Sequence, residues 1–284
     1  MTLQGKKALV TGANQGLGFA IAAAYAAAGA DVAICARDAA LLQSAAAALR
    51  DAHPAVDVAA EVCDVGDRAA VDALFAALDV RFGGLDIVVC NAGVYGPKGS
   101  IDVVDWESWV DAVQINLVGT VYCARRGLAS LARSARGKII IISGGGATKP
   151  LPNLSAYAAS KAGIVRFGET LAEETRGRGI DVNMIAPGAL NTRLLDEILA
   201  AGPQVVGEAF YAASLKQQQT GGTPLAVAAR LAVFLASGAS DGISGKLISA
   251  PWDPWERFSA ADERLSGDVY TLRRIVPEER GWSW

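Results

Sequence analysis

The chain has 284 residues, 52% hydrophobic and 19% charged, enough for one large α/β domain with a sizeable core. A formal net charge of -3, with Lys and Arg scattered rather than clustered, offers no field to attract phosphate backbones and argues against nucleic-acid binding. The single histidine, His53, precedes Pro54 in an expected loop, which removes a zinc centre and a Ser-His-Asp triad, and with them most hydrolase mechanisms.

At the N-terminus only the short apolar run 8–10 precedes Thr11-Gly12, too short for a secretory segment, and the Ala-rich stretch 17–30 falls short of a bilayer span. A cytoplasmic protein with no membrane contact is expected. Strand-length apolar runs follow at 7–11, 31–36, 56–63, 86–91, 138–143, 181–186 and 246–250. Between them, helical periodicity covers 17–28, 40–51, 68–82, 106–133, 155–176 and 224–236. The strand runs are continuous rather than alternating, as in strands covered on both faces, so the expected fold is α/β: a doubly wound, parallel, seven-stranded sheet with helices on both faces. Gly29, Gly83, Gly137 and Gly177 stand where helices should stop and are expected as C-terminal caps. Cys35, Cys63, Cys90 and Cys123 lie far apart and read as reduced, buried side chains, with no metal site expected.

Two segments leave this rhythm. Residues 190–223 insert polar helical sequence after the sixth strand and read as a lid within a single domain, 1–250. Residues 251–284, with Trp252, Trp255, Trp282 and Trp284, read as a tail on the active-site side or on a neighbouring subunit.

Directly after the first strand comes Thr11-Gly12-Ala13-Asn14-Gln15-Gly16-Leu17-Gly18, opening a helix. Glycines here allow a tight turn and close backbone approach to a pyrophosphate, whose charge meets the N–H groups of the helix N-terminus. Further on stand Cys63-Asp64-Val65, Asn91-Ala92-Gly93, Asn116, Tyr157-x-x-x-Lys161 and Pro187-Gly188-x-x-x-Thr192, in that order. The set resembles the short-chain dehydrogenase/reductase family over about residues 5–250.

The resemblance implies a Rossmann-type domain that binds a nicotinamide coenzyme. Gly12, Asn14, Gln15, Gly16, Leu17 and Gly18 would form the cradle, and Asp64 and Val65 would hold the adenine. Asn91, Ala92 and Gly93 would border the cofactor, while Tyr157, Lys161, Pro187, Gly188 and Thr192 would line its nicotinamide half. At the end of strand two, Ala36 stands where a carboxylate would select NAD, and Arg37 follows, able to bind a 2′-phosphate. NADP(H) is therefore favoured over NAD(H). Gln15 in place of a basic residue and the adjacent Asp38 pull the other way, and a merely solvated Arg37 is the plain reading.

Residues four apart on a helix share a face, so Tyr157 and Lys161 can act together. A nearby ammonium, together with a cationic oxidised nicotinamide, is expected to lower the phenol from its ordinary value of about 10, making Tyr157 a general acid/base for a carbonyl and secondary alcohol pair. Ser143, at the end of strand five, is the expected donor to the reacting oxygen. It lies 14 residues before Tyr157, whereas the family places its serine 13 before, where this chain has Gly144. Either a one-residue insertion within 144–148 restores Ser143, or Thr148 or a backbone N–H serves. Asn116 would complete the catalytic set by holding a water beside Lys161; its plain reading is a helix-bending residue satisfied by backbone. Trp106 and Trp109 read as packing.

Asn191, Arg193, Asp196, Gln217, Gln218 and Gln219, with Asp253, Trp255, Glu256 and Arg257, suggest a small polar, carbohydrate-like substrate; the same composition suits a subunit contact equally. A homo-oligomer, dimer or tetramer, is expected from the resemblance through the helix starting at Ser155. The rival reading is a catalytically silent NADP-binding regulator or scaffold.

Overall fold

The computed structural model describes residues 1–283. Strands and helices alternate from the start: β1 (Lys7–Thr11), α1 (Gly16–Ala27), β2 (Asp31–Ala36), α2 (Ala39–Ala52), β3 (Val58–Val62), α3 (Arg68–Phe82) and β4 (Ile87–Cys90). The second half holds α4 (Trp106–Val113), α5 (Thr120–Leu131), β5 (Gly137–Ile142), α6 (Ser155–Glu174) and β6 (Ile180–Ala186). It continues with α7 (Arg193–Ala201), α8 (Pro203–Val206), α9 (Glu208–Thr220), α10 (Leu225–Ala236) and β7 (Leu247–Ser249). The seven strands are all parallel, in the order β3-β2-β1-β4-β5-β6-β7. The order reverses between β1 and β4, which opens a crevice beyond their C-terminal ends where such sheets bind ligands.

Side-chain alternation divides the core into two layers. Val10, Ile140 and Ile142 face α1, α2 and α10, while Leu9, Ile139 and Ile141 face α3, α5 and α6. Both layers are sealed, which is why the strand runs read as continuously apolar. All four cysteines are free and buried.

Local signals explain most boundaries. Asp38 and Asp67 cap α2 and α3, accepting from the N–H groups of Leu41 at 3.0 Å and Ala69 at 2.8 Å. Gly83 closes α3 in the left-handed conformation, as expected. Gly137 departs from expectation: it is the first residue of β5, where a Cβ would stand 2.8 Å from that of Leu131, so close packing rather than a cap requires glycine.

The stretch 106–133 is not one α-helix. Between α4 and α5, Gln114–Gly119 widen into a π-helical turn. Gly119 there lies so close to the Val65 carbonyl that a Cβ would reach it at 2.7 Å.

Beyond β7 the chain turns back along that strand's outer edge, and Leu247 N–H donates to the Tyr270 carbonyl at 2.7 Å. Lys246 Nζ bonds the carbonyls of Gly267 and Val269, each at 3.0 Å, and Arg166 reaches the Leu272 carbonyl. Trp255 is buried against Phe234, with its indole N–H on the Ala250 carbonyl at 3.0 Å. Trp284 lies outside the described residues. Among the described residues no helix is long and apolar enough to cross a membrane.

Candidate active site

The glycine-rich turn is locked to the β4 end by one hydroxyl. Thr11 Oγ1 accepts from the N–H groups of Asn91 and Ala92 at 3.0 and 3.1 Å, and Asn91 Nδ2 donates to the carbonyls of Thr11 and Gly12 at 2.8 and 3.0 Å. The loops approach so closely that a Cβ on Gly12, at φ +63°, would stand 2.7 Å from Ala92 Cα. Gly16, at φ +59°, turns the chain into α1, whose first N–H groups lack intrahelical partners by construction. This is a cradle that side chains would fill, and it fits the pyrophosphate of a dinucleotide.

One cavity of ≈ 1190 Å³ runs from this cradle across the C-terminal ends of the strands. That exceeds the roughly 300–1,000 Å³ of pockets for a single drug-sized ligand, leaving space for a coenzyme and a substrate. Every residue expected to bind the coenzyme borders it, together with Ser143; of the four residues expected to be catalytic, Asn116 does not. Thr192 sits at the N-cap position of α7 without a side-chain capping bond, 3.6 Å from where a Gly16 Cβ would be, so its hydroxyl is left for a ligand. Arg37 lies half-exposed in the cavity wall, 3.7 Å from Asp64 Oδ2. The Asp38 carboxylate is turned into its capping bond with α2.

The reacting end lies between β5 and α6. Tyr157 and Lys161 occupy one face of α6, with Lys161 Nζ 5.6 Å from the Tyr157 ring centroid. Lys161 Nζ donates to the Ile142 carbonyl at 2.8 Å. Burial holds the Lys161 ammonium down to about 8. Burial also raises the Tyr157 phenol, with Tyr95 adding to the effect, so the expected lowering by Lys161 is not the balance found in this structure. The reason is geometric: Leu154, Ile198 and Val206 pack around Tyr157 and shield it from water, while Lys161 is itself desolvated and directed at a backbone carbonyl.

Asn116 is fully buried and its polar atoms are engaged. Val94 N–H donates to Oδ1 at 2.8 Å, and Nδ2 donates to the Val94 carbonyl at 2.8 Å and to Ser160 Oγ at 3.0 Å. A Cβ on Gly93 would stand 3.1 Å from Asn116 Oδ1 and 3.6 Å from Lys161 Nζ, so this bonding fixes the loop after β4 beside the lysine. Ser143 Oγ is buried against the cavity and has no hydrogen-bond partner among the described residues.

Several site residues carry no local motif. Leu154, Ile198 and Val206 pack with Tyr157, joined by the partly buried Tyr95, Leu151 and Phe210. Tyr95 meets Tyr157 edge-on at 4.6 Å between ring centroids. These side chains come from the loop after β4, the start of α6 and the 190–223 segment, and the expectation of a polar substrate chamber misses them. Asn191, Arg193 and Gln217 do border the cavity, but Asp196, Asp253, Glu256 and Arg257 do not. Asp253 accepts from Ser249 N–H at 2.7 Å instead, and Trp255 belongs to the core. Trp252, by contrast, stands exposed at the cavity mouth. Trp106 and Trp109 stack at 5.3 Å, and Trp109 Nε1 donates to Ser155 Oγ at 3.0 Å.

A family model described as short chain dehydrogenase matches residues 6–202. A 2-dehydro-3-deoxy-L-rhamnonate dehydrogenase (NAD(+)) of Sphingomonas sp. (strain SKA58) is 33% identical over 116 residues, covering 39% of this chain and 45% of its own length. The chain spans about half the length of most curated relatives it matches. Among solved structures, levodione reductase superposes with a TM-score of 0.80 at 26% identity, covering 89% of this chain and 98% of its own. An actinorhodin polyketide ketoreductase variant with NADPH gives 0.78 at 27%, covering 86% and 95%.

Proposed function

This chain belongs to the short-chain dehydrogenase/reductase family and is an NAD(P)-dependent oxidoreductase, and from that premise we propose that it interconverts a ketone and a secondary alcohol with NADP(H), using Tyr157 as general acid/base. The observation that carries this reading is the convergence of Tyr157, Lys161 and the orphan Ser143 hydroxyl on the cavity that begins at the glycine cradle. When bound, the nicotinamide coenzyme supplies the two-electron chemistry at the reacting carbon.

Tyr157 Oη gives its proton to the carbonyl oxygen in reduction and takes it from the alcohol in oxidation. Lys161, with one N–H on Ile142 and others free for a ligand, holds the ribose and adds positive charge beside the phenol. Ser143 donates to the same oxygen; an unpaired buried hydroxyl costs about 1–3 kcal/mol, and substrate binding relieves it. Asn116 positions the loop that borders Lys161. Arg37 binds the 2′-phosphate, a role favoured because Asp38 is occupied at its helix and no carboxylate follows at Ala36. The named relatives use NAD(+) in one case and NADPH in another.

Residues 190–223 act as a lid within the 1–250 domain, and residues 251–284 as an edge-covering tail. The aromatic and aliphatic wall around Tyr157 favours a substrate whose reacting carbon carries apolar bulk over a carbohydrate-like one. Copies of the chain associate through the α6 side, next to the exposed Trp106 and Val110. The silent-regulator reading is separated by Tyr157→Phe: calorimetric coenzyme binding should survive while carbonyl turnover falls at least about 10²-fold. Unchanged turnover of every ketone tested would remove the assignment.

A further inference from the structure

Three glycines, Gly144 to Gly146, follow Ser143 after β5, and the first and third of them meet the start of α6. A Cβ built on Gly144 would overlap Tyr157 Oη and stand 3.1 Å from Cζ and 3.5 Å from Cε1. Two residues on, Gly146 has φ +90°, and a Cβ there would stand 2.9 Å from Ala158 Cα. The loop is therefore pressed onto the first turn of α6 through bare α-carbons. Tyr157 has little freedom to yield, since Tyr95 abuts its ring and Leu154, Ile198 and Val206 pack around it. On the other side of Gly144, the Ile142 carbonyl fixes Lys161 and the Ser143 hydroxyl stands buried and unpartnered against the cavity.

We infer that Gly144 is a positioning residue whose missing side chain lets the Tyr157 hydroxyl rest against the main chain after β5, with the adjacent Ser143 carrying the hydroxyl donor of the site. The inference rests on the oxidoreductase reading for its chemistry, but its packing part stands independently. It has a counterintuitive consequence. A serine placed at 144, 13 residues before the tyrosine, should impair the site rather than complete it.

The test uses the full chain as wild type, Gly144→Ala, Gly144→Ser and Ser143→Ala, with NADPH binding followed by calorimetry and turnover followed against a ketone panel. Both Gly144 variants should keep NADPH affinity within about threefold while kcat falls about 10²-fold, the scale of a misplacement near 1 Å. Ser143→Ala should lower kcat about 10²-fold with KM little changed. Equal or higher turnover by Gly144→Ser, or full turnover by Ser143→Ala, would overturn the inference.

A second measurement does not depend on activity. Thermal melts of Gly144→Ala in the wild-type and Tyr157→Phe backgrounds should show a smaller loss of Tm in the latter, since removing Oη removes the closest overlap. Additive losses would show that residue 144 does not abut the hydroxyl. Absence of turnover in the wild type alongside coupled melts would sink the functional reading while leaving the packing inference standing.

Discussion

Lys98 Nζ meets Glu197 Oε2 at 3.1 Å, tying the loop after β4 to α7. Both side chains are largely shielded, and Glu197 also takes Arg193 Nη1 at 2.5 Å. Lys98 further lies 5.8 Å above the Tyr95 ring, so the pair sits on the aromatic wall of the substrate chamber. Lys98→Ala should leave a part-buried carboxylate with Arg193 alone, loosen α7, and raise the ketone KM severalfold with a smaller effect on kcat. A double-mutant cycle with Glu197→Gln, read by proteolytic cleavage within 190–223, should give a coupling of about 0.5–1 kcal/mol. Equal cleavage rates in all four proteins would exclude a latch.

Arg37 is the test of coenzyme choice. Charge-assisted bonds to a phosphate contribute about 1.5–3 kcal/mol, so Arg37→Ala should weaken NADPH about 10–100-fold and leave NADH nearly unchanged. Its loose contact with Asp64, both partners well exposed, is not expected to stabilise the fold measurably. Calorimetric titration with both coenzymes decides it; equal weakening of the two would assign Arg37 to general shaping of the site.

Lys161 should govern how stability responds to alkali. Burial depresses its folded-state value to about 8, from 10.5 in the unfolded chain. Below pH 8 both states hold the proton and the full cost of burying the ammonium is present. Between about 8 and 10.5 the unfolded state binds more protons, so that cost is relieved as pH rises. Lys161→Met should accordingly stabilise the protein at pH 7, by about 1–3 kcal/mol, and lose that advantage toward pH 10. Urea unfolding at the two pH values measures it, and a pH-independent difference would exclude titration of Lys161 as the cause.

Much of the frame was legible because its signals are local. Seven apolar runs mark seven strands, and Gly83 announces the end of α3 at short range, whereas the caps at Asp38 and Asp67 emerge only in the structure. The tight glycine-rich turn after β1 was legible for the same reason, since its glycines serve backbone geometry at fixed offsets. The π-helical turn was legible only in part: Asn116 read as a helix-bending residue satisfied by backbone, as Val94 satisfies it, but that partner and the close approach of Gly119 to the Val65 carbonyl lie outside 106–133. The substrate wall escaped, for Tyr95, Ile198 and Phe210 meet only after three separate segments fold together. Composition misled in the tail, where Trp255 and Asp253 stabilise local structure instead of facing a ligand. That burial raises the Tyr157 phenol was not legible, because the four-residue spacing to Lys161 cannot register how deeply Leu154, Ile198 and Val206 enclose it.

The π-helical turn at Gln114–Gly119 also constrains how this stretch of sequence can vary. A π-turn accommodates one residue more than the α-helical path it interrupts. Deleting a single residue there would let α4 and α5 fuse into one regular helix, at a gain in local hydrogen-bond regularity. The same deletion would take up the extra residue while leaving α4 and α5 near their present registers, so its cost would fall on the bulge itself: Asn116 would leave Val94 and Ser160, and the loop after β4 would lose the bonds that hold it beside Lys161. The extra residue is thus kept by what Asn116 holds, not by the packing of the two flanking helices.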